Sequence, residues 1–85
     1  GIKFIGNENN FPLINTIVNA SYIIAKIPPE NPEFVEFLNK NKVLPGNKIL
    51  ITELSDTRGI ITIKINKTTV DLSLNIAKTI WVKNI

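Results

Sequence analysis

Apolar and polar residues alternate most regularly in the second half of the chain. Over residues 60–65, Ile61, Ile63 and Ile65 share one side and Thr62 and Lys64 take the other. A period of two is the pleat of a half-buried strand. Residues 68–72 repeat it, with Val70 and Leu72 opposed to Thr69 and Asp71, and Asn66-Lys67 supplies the tight turn between the two segments. The same reading predicts strands over 48–54, 20–27 and 80–83. Tyr22, Ile24 and Ile27 are apolar positions of the 20–27 strand, which stops at Pro28-Pro29, because proline has no N–H to give to a ladder. Ser55-Asp56-Thr57-Arg58-Gly59 makes a hairpin connection from 48–54 to 60–65. Residues 6–12 read as a loop or linker. Leu13, Ile14, Ile17 and Val18 suit either a turn of helix or an extended lead-in.

The period changes between Glu30 and Asn41. Phe34, Phe37 and Leu38 recur at i, i+3 and i+4, which makes one apolar face of a helix of about three turns. Asn31 suits the N-cap, and Pro32 the first helical position, where a missing donor costs nothing. Glu33 and Glu36 lie toward the positive end of the helix dipole, and Lys40 and Lys42 toward its negative end. Leu44-Pro45-Gly46-Asn47 then carries a type II turn signature: proline presets the first central φ and glycine permits a positive second one. Ser73 suits the cap of a further short helical turn before the last strand. The order is strand, helix, three-strand meander, helical turn, strand. It predicts a mainly β domain, a small five-stranded barrel, closed or nearly closed, with the helix over one open end. Closure would remove the apolar edges that isoleucine-rich strands otherwise present.

Composition narrows the chemistry. The 85 residues fit one small domain with a thin stability margin. Cysteine and histidine are both absent, so the core relies on apolar packing alone. The commonest metal ligand and the commonest general base near neutral pH are missing. Ser21, Ser55 and Ser73 stand in no nucleophile context, and Gly46 and Gly59 are isolated rather than clustered as in a phosphate loop. The chain therefore reads as no enzyme. Its net charge of +3 comes from dispersed lysines and a single arginine, Arg58, with no basic block. That predicts no nucleic acid bound by this domain alone. No apolar run is long enough for a membrane span, and no secretory signal is visible. The absent cysteines suit a cytoplasmic home. Residues 1–11 read as a linker or expression remnant, leaving 12–85 as the domain.

Glu30, Glu33 and Glu36, spaced by three, are the one carboxylate group of interest. They suit a solvated acidic first turn, or part of a divalent-metal site whose remaining ligands come from elsewhere. Tyr22 and Trp81 are the aromatics that an exposed binding groove would use.

A resemblance extends this reading. Glu33-Phe34-Val35-Glu36-Phe37-Leu38, followed by Val43-Leu44-Pro45-Gly46-Asn47-Lys48-Ile49, resembles the helix and turn of the FeoA-type SH3-like domain. Gly59-Ile60-Ile61-Thr62-Ile63 resembles its next strand, and residues 69–82 its ending. The likeness covers about Pro12 to Ile85 and implies an SH3-like barrel. Pro-Glu-Asn-Pro-Glu before the helix is most similar to the C-terminal domain of diphtheria-toxin-repressor-type regulators. That version implies a homodimeric parent that binds duplex DNA and takes Fe2+ or Mn2+, none of it held tightly by this domain alone. The domain would contact other domains of the same polypeptide, and its metal candidates would be Glu30 and Glu33. The family's second position is an amide, so Glu33 departs from it, and two carboxylates there repel unless a metal is bound. The other setting is a free-standing accessory of the bacterial ferrous-iron transporter, docking on a membrane GTPase without entering the membrane itself. A generic peptide-binding barrel is a third possibility.

Overall fold

Each predicted strand forms, and one more joins them. The computed structural model describes residues 10–27 and 32–85. In chain order these are β1 (Asn10–Pro12), a 3-10 turn (Leu13–Asn15), β2 (Ser21–Lys26), α1 (Pro32–Lys40), β3 (Lys48–Ser55), β4 (Ile60–Ile65), β5 (Thr68–Ser73), α2 (Leu74–Ala77) and β6 (Trp81–Asn84). Glu30 and the expected cap Asn31 lie outside the described residues.

The isoleucine rows behave as their alternation requires. Ile61 and Ile63 are fully buried and Ile65 nearly so, while Lys64 is exposed. Across the ladder, Ile63 stands between Ile51 on β3 and Val70 on β5. Tyr22, Ile24, Ile49, Leu72 and Val82 extend the same inner face, and Leu13, Val43, Ala77 and Ile80 close over it. Two bulges, between Ile24 and Lys26 and between Ile51 and Glu53, curl the sheet around this core.

The expected closed five-stranded barrel is not what forms. Among the described residues the sheet has six antiparallel strands in the order β1-β6-β2-β3-β4-β5, and its edges there, β1 and β5, do not pair with each other. The sixth strand is Asn10–Pro12, a segment whose composition reads as loop; it pairs with β6, Phe11 facing Val82. Its three residues end in a proline, which suits an edge and cannot sustain a second ladder. The gap is covered instead by α2, which packs against β4, β5 and the 3-10 turn. Leu13 N–H donates to Ile80 C=O at 2.8 Å on the same side. Covering an edge with a helix is the alternative to closure. Ser73 caps α2 as expected, its Oγ accepting from Ile76 N–H at 3.2 Å.

The helix ends by a device that the sequence conceals. Val43 N–H donates to Leu38 C=O at 2.8 Å and Lys42 N–H to Asn39 C=O at 3.1 Å. This is a Schellman ending, with Lys42 in the left-handed position at φ 66°. Its apolar contact is Leu38 with Val43, both fully buried. The Leu44-Pro45-Gly46-Asn47 turn follows as expected. Gly46 has φ 93°, and Asn47 N–H donates to Leu44 C=O at 3.1 Å. Gly46 N–H also reaches Ile24 C=O at 2.7 Å, and Ile24 N–H reaches Asn47 C=O at 3.0 Å, so the turn is stitched onto β2.

Lysine is strained at the left-handed position and glycine is not. Lys42→Gly should therefore raise stability by about 0.5–1 kcal/mol, after the entropy lost by glycine is subtracted. The check is the urea midpoint at unchanged m-value.

Candidate functional site

Of the two sequence-predicted metal residues, the described structure places one. Glu33 lies in the first turn of α1 and is exposed, as is Glu36 one position short of a full turn later. With Pro32, Val35 and Asn39 they line an open concavity of about 550 Å³. The helix turns its other side to the core: Leu38 is fully buried, and Phe34 packs against the core and stacks on Phe37 with ring centroids 6.5 Å apart. Phe37 itself remains 40% exposed, so the predicted apolar stripe is only partly used. Among the described residues no three acidic, histidine or cysteine side chains gather in a group that could hold a metal ion. Glu33 and Glu36 alone do not fit a closed metal centre. What they offer is one or two oxygen donors on an exposed helix end.

The aromatic pair does not make a groove. Tyr22 points inward, 5% exposed, stands edge-on to Phe11, and accepts a hydrogen bond from Ile17 N–H at 3.0 Å. Trp81 lies on the opposite face of the sheet and is 39% exposed, beside Lys26 across the β2–β6 ladder.

That outer face holds a feature missed in the sequence. Lys26, Lys48, Lys64 and Lys83 are all exposed positions of the sheet. Ile23 is the cross-strand partner of both Lys48 and Lys83, and Leu50 is the partner of both Ser21 and Lys64. Directly opposed residues point to the same side of an antiparallel sheet, so these lysines share one surface. A second concavity, of about 410 Å³, opens there between Ser21, Lys48, Ile49, Leu50, Lys64 and Asn66. Along the chain these lysines are dispersed. Only strand alternation combined with long-range register unites them.

The family described as the FeoA domain matches residues 11–84. No curated protein matches the sequence. A solved structure titled a manganese-dependent transcriptional repressor is similar at TM-score 0.82 and 20% identity, covering 89% of this chain and 42% of that one. An iron uptake regulatory protein, FeoA, is similar at TM-score 0.76 and 18% identity, covering 89% of this chain and 97% of that one. IdeR of T. acidophilum follows at TM-score 0.80 and 16% identity, covering 100% and 37%. The chain thus spans about two fifths of the repressors it matches. At these identities the likeness establishes a shared fold. No helix among the described residues is long and apolar enough to cross a membrane.

Proposed function

The chain belongs to the FeoA domain family, and from that membership we propose that it is a non-catalytic accessory unit of divalent-metal uptake, acting by docking on a larger partner. The observation that carries this reading is the extent of the match. The family covers residues 11–84, and the fold spans nearly the whole of a solved FeoA structure. The partner in this reading is a ferrous-iron transporter. The isolated chain needs no resident metal for such a role.

A second reading has its own support. The fold agrees with a manganese-dependent repressor at TM-score 0.82, and Glu33 stands exposed at the start of α1. In that setting the domain would pack on a DNA-binding or dimerisation module and lend Glu30 and Glu33 to a site completed there. Fe2+ or Mn2+ is the metal such oxygen donors would serve. The effect on DNA binding would come from contacts that differ between the metal-bound and metal-free states.

One experiment separates the two. The coding segment for residues 12–85 is deleted in the source cell, and radiolabelled Fe2+ uptake and metal-responsive transcription are measured together. The accessory reading expects uptake to fall while metal-dependent repression persists. Lost repression with intact uptake selects the second reading, and no change in either overturns both. In the second setting, Glu33→Ala in the full-length parent, which removes the donor altogether, should weaken metal-dependent operator binding, and unchanged binding would remove Glu33 from the proposed site.

A further inference from the structure

We propose that the outer face of the sheet is the docking surface for an extended acidic segment of a partner protein, whose carboxylates seat on Lys48 and Lys64. The inference rests on the accessory reading only for its need of a protein partner. It uses none of the residues around Glu33.

Four lysines share this face, more positive charge than the +3 of the whole chain. Lys83, Ile23 and Lys48 form one cross-strand row, and Ser21, Leu50 and Lys64 the next. With neighbouring strands about 4.8 Å apart, the backbones carrying Lys83 and Lys48 are separated by about 10 Å across Ile23. None of the four has an ion-pair partner among the described residues. The ion pair found there joins Arg58 to Glu53 at 2.9 Å, near the β3–β4 connection. Glu53 and Asp71 flank Thr62 in the cross-strand row next to that of Lys64, and Asp71 accepts a hydrogen bond from Thr62 Oγ1 at 2.7 Å. The lysines therefore raise a local positive potential that no carboxylate among the described residues neutralises by direct contact, and an acidic partner is drawn to it.

Shape and interleaving favour a polypeptide over a nucleic acid. The concavity of about 410 Å³ between Lys48 and Lys64 is also lined by Ser21 and Asn66, which can donate hydrogen bonds, and by no acidic residue among those described. Ile23 and Leu50 are half-buried between the lysines, so apolar contact accompanies charge. Single-stranded nucleic acids are held by a continuous basic groove with stacking aromatics, whereas among the described residues this face offers Trp81 alone. An extended peptide presents same-side carboxylates about 6.7 Å apart, a spacing that lets neighbouring acids reach different lysines.

The test uses the purified 85-residue chain, isotope-labelled, and a capped peptide Glu-Ser-Glu-Leu-Glu-Ser-Glu as the probe. Amide shifts should concentrate on Ser21, Ile23, Lys48, Leu50, Lys64 and Asn66, and weaken as salt is raised. A peptide with Gln in place of Glu should not bind. Joint Lys48→Glu and Lys64→Glu substitution should cost about tenfold or more in affinity. Joint Lys40→Glu and Lys78→Glu substitution changes net charge equally and should cost little. Equal losses for the two double variants would reduce the effect to net charge and overturn the proposal. So would shifts centred on α1, or a short DNA duplex that binds the same residues more tightly than the peptide. The outcome is independent of the cell phenotype, so failure here leaves the accessory reading standing.

Discussion

Ile63→Ala should destabilise the domain by about 3–4 kcal/mol, the largest effect expected of any single truncation here. Ile63 is fully buried in β4, between the fully buried Ile51 and the nearly buried Val70. Its neighbours are β-branched and stiff on a pleated surface, so they relax little into the space left behind. The lost transfer energy and the residual cavity then add. A domain of this size has a total stability of about 4–13 kcal/mol, so the variant should lose much of its margin. Ile63→Val, which removes one methyl group, should cost about 1 kcal/mol. Urea denaturation of the pair reads both numbers directly. A loss below about 1 kcal/mol for the alanine variant would show that this row is not the centre of the core.

The second large effect is Leu38→Ala, with an expected loss of about 2–4 kcal/mol and a different signature. Leu38 is the fully buried residue of α1, and it also anchors the Schellman ending through Val43. A helix of nine residues is marginal in water without such packing. The truncation should therefore free α1 while the sheet stays formed. Amide exchange should accelerate across residues 34–41 well before it does in β4. Uniform acceleration in α1 and β4 would mean that the helix and the sheet open as one unit.

These residues also show what a sequence discloses. The alternation at residues 60–65 and 68–72 is a local property, and it placed β4 and β5 and their inner faces correctly. The proline–glycine turn and the Ser73 cap are local as well, and both form. What failed was non-local. The shortness of β1 hides it among loop residues, because nothing in Asn10-Phe11-Pro12 announces a partner seventy residues later. Closure of the sheet depends on how the two edges meet, and no periodicity encodes that. The helix stop was hidden because a lysine occupies the position where glycine would have marked it. Of the candidate site, the carboxylate spacing was visible. The lysine face was not, since it arises from register among four strands.

The strand order has one further consequence, for biosynthesis. β6 is the last strand of the fold to be made, yet it lies between β1 and β2. Until it emerges from the ribosome, β1 has no strand to pair with and β2 shows a bare edge, with its N–H and C=O groups open to other nascent chains. β1 and β6 thus lock together only once the whole domain has been made, which makes this a slow, long-range step and a window for misassembly. A stop codon just before Trp81 would remove an interior strand of the sheet rather than trim a terminus.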